Sequence, residues 1–197
     1  MKVTVERVVG WNRVLNSART TIGKESTDKE PSDAFKLKLL VSEHSPIRNL
    51  MYEVNWLDIP YWVAMHLARH HIGFHSGEDD TIFIKTQRSD RTNVERDKLP
   101  QDAPVIFKAV INAHSIINVS RVRLCKVAAR ETVKAWSEFI LELSKIEPML
   151  AKLCKPNCIY RGMCPEPQSC GYYKTRLYSK DLDEYKKYCH EIPKNFI

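Results

Sequence analysis

Glycine is scarce in this chain: six residues among 197, none of them in a G-x-G-x-x-G or G-x-x-x-x-G-K-[ST] arrangement. That excludes a backbone cradle for phosphates of the dinucleotide-fold or P-loop kind, so any bound nucleotide has to be gripped by side chains and helix ends. Long apolar runs are missing as well. No stretch approaches the roughly 18 consecutive apolar residues that cross a bilayer, and the opening MKVTVERVVG alternates where a signal peptide would carry a continuous apolar core. The expected location is the cytoplasm, with no membrane partner. Negative charge is the third deficit: 24 acidic residues face 31 lysines and arginines, giving a net charge of +7 and a pI near 9.1. The surplus favours phosphorylated or polyanionic partners without choosing between nucleic acid and small phosphates.

What is present is ordinary globular material, 43% hydrophobic and 28% charged, in a length that suits one well-buried core. Cysteine is unevenly placed. Of six, Cys154, Cys158, Cys164 and Cys170 fall in one C-x3-C-x5-C-x5-C run with Pro and Gly between them. In a cytosolic chain such clustering argues for metal or redox chemistry over structural disulfides. A closed tetrahedral zinc site and an iron–sulfur cluster both fit four thiolates; free thiols or disulfides in a turn-rich tail fit as well.

Periodicity supplies the expected elements. Residues 2 to 9 alternate as a half-buried strand does, and a helix is expected from near Trp11. Ser32 or Asp33 can cap a helix through Phe35, Leu39 and Leu40. Leu50, Tyr52, Val54 and Trp56 share one face of a second strand, after which Asp58 and Pro60 read as the start of a helix from Tyr61 to about His71. The segment TIFIKTQR reads as a further strand or extended arm. Two longer helices are expected at about 103–119 and 125–145, the second with Trp136, Phe139, Ile140 and Leu143 at core spacing, and a polar helix around 181–188.

Two constellations carry chemistry. At the end of the Tyr61 helix, Arg69, His70 and His71 fan around the axis, each about 100° from the last, and can engage several oxygens of one ligand. The same cations are also what a helix C-terminus favours on a solvated face. In INAHSIINVSRVR, residues Asn112, Ser115 and Asn118 recur on one side of an otherwise apolar helix. Buried amides and hydroxyls need partners, at about 1–3 kcal/mol each if unmet, which structural hydrogen bonds or a ligand could supply.

In order, these pieces resemble the flavin-dependent thymidylate synthase family. The family signature, Arg-His-Arg, a spacer and Ser-x-Arg, is matched by Arg69-His70-His71 and Ser89-Asp90-Arg91. VERDKLP is similar to the family's arginine segment ending in Leu-Pro, and from Leu99-Pro100 the match runs ungapped into NAHSIINVSRVR. SARTT and EHSPIR resemble two further family elements, so the likeness covers about residues 10 to 145. Departures are visible: His71 stands for an arginine, about ten extra residues centred on Gly77 to Asp80 split the signature, Gln87 and Arg48 replace acidic residues, and Val127 replaces a histidine. Arg91 and Arg96 lie five apart where the family has a helical segment.

The resemblance implies an α/β (α+β) fold, a central mostly antiparallel sheet packed with helices, with residues 1–150 as the catalytic domain and 151–197 as a cysteine-rich tail. It implies a homotetramer with active sites between subunits that converts dUMP to dTMP. Methylenetetrahydrofolate is the carbon donor, reduced FAD the hydride donor and NADPH the reductant. Residue by residue, it assigns Thr21, His44, Ser45, Arg69, His70, His71, Asn112 and Asn118 to the flavin, and Ser89, Asp90, Arg91 and Arg96 to the nucleotide. Arg123 faces the pyrimidine, and the catalytic roles fall to Arg123 and Ser89. Cys125 is expected as a packed thiol, not a nucleophile. The tail's metal set would be Cys154, Cys158, Cys164 and Cys170. Two alternatives stand beside this reading: a related pyrimidine nucleotide hydroxymethylase, and a metal-stapled nucleic-acid-binding protein without enzymatic activity.

Overall fold

The computed structural model describes residues 1–70, 81–85 and 93–190. Its centre is a four-stranded antiparallel sheet in the order β1-β2-β4-β3, formed by β1 (Lys2–Val9), β2 (Met51–Pro60), β3 (Thr81–Ile84) and β4 (Pro104–Asn112). Register follows the hydrophobic alternation: Val3 pairs with Trp56 and Trp56 with Phe107, so apolar side chains from three strands gather on one face. The β2–β4 ladder shifts between Trp56 and Ile59, where Asp58 takes φ +57°. Aspartate tolerates that left-handed conformation better than the apolar residues around it, and the irregularity re-aims the strand end toward the helix that follows.

Helices cover the apolar face. They are α1 (Trp11–Thr20), α2 (Asp33–Val41), α3 (Tyr61–Ala68), α4 (Ala113–Arg123), α5 (Arg130–Ile146), α6 (Pro148–Leu153), α7 (Asn157–Arg161) and α8 (Arg176–His190). Short 3-10 turns occur at Ser45–Asn49, Arg96–Lys98 and Tyr172–Lys174. Ser32 caps α2 by accepting from the Phe35 amide, as its residue type suggests. The expected mixed α/β architecture with an antiparallel sheet is what the chain adopts.

Several expected boundaries are corrected: the helix foreseen from about 125 begins at Arg130. The segment foreseen as a helix from about 103 is strand β4 up to Asn112 and becomes helical only from Ala113. Val105, Phe107, Ala109 and Ile111 are buried while Ile106 is exposed, a period of two that the apolar content of PVIFKAVIN hides. Pro60 likewise ends β2 and stands just before α3 instead of inside its first turn.

Aromatic packing joins α5 to the sheet. Trp56 lies 5.3 Å from Phe107, 5.5 Å from Phe139 and 6.3 Å from Trp136, centroid to centroid, all four rings buried. Burying each such side chain is worth roughly 1.5–3 kcal/mol. Their polar atoms are satisfied: Trp56 Nε1 donates to the Ala135 carbonyl at 3.0 Å, and Trp136 Nε1 to Ser120 Oγ at 2.9 Å. At the α5–α6 junction the buried Glu147 carboxylate accepts from Trp11 Nε1 at 3.1 Å, Tyr52 Oη at 3.0 Å and Arg7 Nη1 at 3.3 Å, tying α1, β1 and β2 to the helical layer. Among the described residues no helix is long and apolar enough to cross a membrane.

Candidate functional site

The α3 and α4 C-termini meet at the edge of this core, and there the cations collect. Arg123 ends α4 and Arg69 and His70 follow α3 directly, so both helices present positive charge at their negative dipole ends. Arg123 Nε donates to His70 Nε2, and Arg123 Nη2 donates to the His66 carbonyl at 3.0 Å. His66 Nδ1 lies 3.3 Å from Thr132 Oγ1 on α5, and its ring meets Trp62 edge-on. The guanidinium of Arg123 is thus fixed along one edge, and its other N–H donors have no partner among the described residues.

The electrostatics follow from this crowding. Burial first, then Arg123 and His66 beside it, push the His70 pKa down to about 4, so the ring is neutral at pH 7. Its Nε2 is accordingly an acceptor for Arg123. Burial, Arg123 and Arg69 also lower His66, and burial with Arg69 lowers Arg123. All of these causes disfavour positive charge, and none is a carboxylate. A half-buried guanidinium with cationic neighbours is a place where an anion, or a ring acquiring negative charge, gains stabilisation.

Beside it lies an apolar pocket with His70 at its wall and Trp56, Leu67, Phe107, Val119 and Trp136 among its lining. The pocket is a small recess, and His70 is the titratable residue in its lining.

The other expected site residues are distributed as follows. Asn112 is the N-cap of α4, its side chain accepting from the Ser115 amide at 2.9 Å. Asn118 accepts from Arg121 Nη1 at 2.7 Å and stands 3.5 Å from His114 Nε2. Asn118 belongs to a second polar group, in which Glu43 accepts from Arg121 and lies 3.7 Å from His114. The Asn112 and Asn118 side chains thus each accept a hydrogen bond within the chain. Thr21, His44 and Ser45 are exposed; Thr21 Oγ1 donates to the Ala18 carbonyl at 2.7 Å, and Ser45 opens the 3-10 turn after His44. Arg96 is exposed in its own 3-10 turn. No described contact within the chain brings Thr21, His44, Ser45 or Arg96 to the Arg123 corner. His71, Gln87, Ser89, Asp90, Arg91 and the Glu78–Asp80 run lie outside the described residues.

Sequence reasoning passed over His66, Arg121 and Glu43. The signal for His66 was its place four residues before His70, one turn up the same face. Arg121 gave less warning; its ring of contacts, stacked 3.6 Å over Tyr160 and bonded to Glu43, depends on segments distant in sequence.

The cysteine run wraps an open cleft walled by the residues after α4 and the α7 region, with Cys125, Cys158, Cys164 and Cys170 among its lining. Cys154 touches that wall, but its thiol is buried and faces the Leu150 carbonyl at 3.4 Å. Among the described residues no three His, Cys, Asp or Glu side chains are grouped so as to hold a single metal ion.

By sequence, no protein-family model matches this chain and no curated protein matches it. By structure, it is similar to flavin-dependent thymidylate synthase ThyX from Helicobacter pylori complexed with FAD and dUMP, at 15% identity and a TM-score of 0.62, covering 79% of this chain and 100% of that one. It is also similar to the UMP/dUMP methylase PolB from Streptomyces cacaoi bound with 5-Br dUMP, at 14% identity and a TM-score of 0.53, covering 77% of this chain and 94% of that one. The shared property is the fold.

Proposed function

We propose that this chain is a flavin-dependent thymidylate synthase-type methyltransferase, converting dUMP to dTMP with methylenetetrahydrofolate as carbon donor. The observation that carries the reading is the Arg123–His70–Arg69 corner: a half-buried guanidinium held by a neutral imidazole beside a second arginine, with no carboxylate partner among the described residues. These are the residues that the sequence resemblance assigns to the pyrimidine and the flavin. The fold supports the same reading, since solved structures with it include one holding FAD and dUMP.

In this reading FAD, once bound and reduced by NADPH, supplies the hydride. The chain's own work is to bind, orient and stabilise charge. Arg123 presents its remaining N–H donors to the pyrimidine and stabilises negative charge developing on the ring oxygen, worth about 10²–10³ in rate for one well-placed donor. His70 holds that guanidinium by accepting from its Nε, which requires the imidazole to be neutral, as burial makes it. Arg69, His70 and His71 suit a flavin's ring edge and phosphates through charge-assisted hydrogen bonds. Thr21, His44, Ser45, Asn112 and Asn118 complete the flavin grip, while Ser89, Asp90, Arg91 and Arg96 hold the nucleotide, Ser89 as a binding hydroxyl. Residues 1–150 form the catalytic unit of a cytoplasmic homotetramer, and residues 151–197 are an added cysteine-rich segment.

The departures at His71, Gln87 and Val127 motivate a second reading, a hydroxymethylase on the same grip. One incubation decides between them: purified protein with FAD, NADPH, methylenetetrahydrofolate and dUMP, the product identified by mass. dTMP is expected. Hydroxymethyl-dUMP would replace the methyltransferase reading with the second. A colourless protein that yields neither product, and binds DNA or RNA with steep salt dependence, would overturn both in favour of a nucleic-acid-binding role.

A further inference from the structure

The C-x3-C-x5-C-x5-C run suggests its own four cysteines as a set, yet the fold sorts them differently. Cys154 belongs to the core: it is 3% exposed, ends α6, and faces the Leu150 carbonyl with its thiol. Burial pushes that thiol up to about 12, in keeping with its place in the core. Cys125, from a distant stretch, takes the vacant position. It follows α4 by two residues and lines the same cleft as Cys158, Cys164 and Cys170. The thiols are near enough to sense each other's charge, Cys125 that of Cys164 and Cys170, and Cys158 that of Cys125 and Cys164.

The loop is built to turn around the cleft. Cys158 sits in α7, which ends at Gly162 in the left-handed conformation (φ +72°); Cys164 is followed by Pro165; Cys170 is followed by Gly171, again left-handed (φ +80°). Lys126 and Lys155 line the same cleft together with Glu166 and Asp181, so its wall carries both signs of charge. Lys126 is held over the Tyr172 ring at 4.6 Å, and Tyr172 Oη donates to Asp181, which anchors the loop to α8.

We propose that Cys125, Cys158, Cys164 and Cys170 form a four-thiolate site for a soft metal centre, an iron–sulfur cluster in preference to a lone zinc ion. Around one zinc, four sulfurs at about 2.3 Å from the metal stand only ~3.8 Å from one another. The described thiols line an open cleft and are not grouped about one ion, whereas a four-iron cluster has an iron for each cysteine and takes sulfurs set farther apart. Since Cys125 lies two residues beyond Arg123, occupation of the site also pins the end of α4 that presents the guanidinium.

The test is metal and acid-labile sulfide content of the full chain purified without oxygen and, separately, after reconstitution with iron and sulfide. Iron with matching sulfide is expected. Zinc at one per chain would keep the four-thiolate site and make zinc its occupant. Cys125→Ser should reduce the bound metal at least about tenfold, the scale on which altered metal surroundings act, while Cys154→Ser and Cys189→Ser retain it. Far-ultraviolet circular dichroism of each variant separates lost metal from lost fold. A chain that takes up neither metal under either condition overturns the site; a Cys125→Ser protein with full metal beside a depleted Cys154→Ser protein overturns the assignment of Cys125. Metal content is read independently of flavin and nucleotide, so its failure leaves the methyltransferase reading standing.

Discussion

The neutrality of His70 is the most consequential single-residue property of the corner, because Arg123 uses its unprotonated Nε2 as an acceptor. Its folded pKa of about 4 lies below the ordinary histidine value of 6.5. The unfolded chain therefore binds more protons in that interval, and stability rises with pH across it and is lost as pH falls from about 6.5 to 4. Discounted for the ring's partial exposure, the loss should be on the order of 1–2 kcal/mol. Urea midpoints measured at pH 4.5 and 7.0 check this: His70→Gln should flatten the difference, and an unchanged pH dependence in that variant would remove His70 as its source. Arg123→Lys keeps the charge and loses the fork. Product formation should drop about 10²–10³-fold with the thermal midpoint nearly unmoved, since a lysine cannot bond His70, the His66 carbonyl and a ligand together. At this scale residue type and order sufficed to single out Arg69, His70 and Arg123 as candidates, and the structure sets the three in one corner. The sequence was silent on His66 and Glu43, whose roles arise from burial and long-range contact.

Elements show the limit of periodicity more sharply. Strand β2 is legible because Tyr52, Val54 and Trp56 alternate with Glu53 and Asn55. Strand β4 is not, because Val110 and Ile106 put apolar residues on its outer face too, and the run PVIFKAVIN then joins the helical AHSIINVSRVR without a polar break. Asn112 marks the join as an N-cap. The junction between α5 and α6 carries a prediction of its own. Glu147 gathers donors from β1, α1 and β2, and removing it would strand the buried Trp11 and Tyr52 donors. Glu147→Ala should destabilise the fold by about 2–4 kcal/mol, and Glu147→Gln, which keeps an acceptor, by less than half of that. Chemical denaturation of the two variants distinguishes a bonded hub from simple loss of volume, which would affect alanine alone.

The whole molecule leaves its candidate site divided. Arg123, His70 and Arg69 meet inside one chain, but Thr21, His44, Ser45 and Arg96 are exposed and have no described contact with them. If all of these residues serve one ligand set, another copy is the expected source of the missing side, in line with the intersubunit sites implied by the sequence resemblance. A homotetramer of the 22.9 kDa chain is the expected assembly, seen as four chain masses by light scattering. Sharing also makes a kinetic prediction that size alone does not. Arg123→Ala and Arg96→Ala should each be nearly inactive as homotetramers. When the two are unfolded together and refolded as mixed tetramers, a shared site draws an intact Arg123 from one chain and an intact Arg96 from the other. With random assembly and equal amounts, activity should return to about one quarter of wild type, since each side of a two-chain site is intact half the time. A site completed within one chain returns none, because each chain carries one lesion. No recovery from mixed tetramers of verified size would therefore place Arg96 and Arg123 in the same subunit's site, and a loop movement would then have to bring them together.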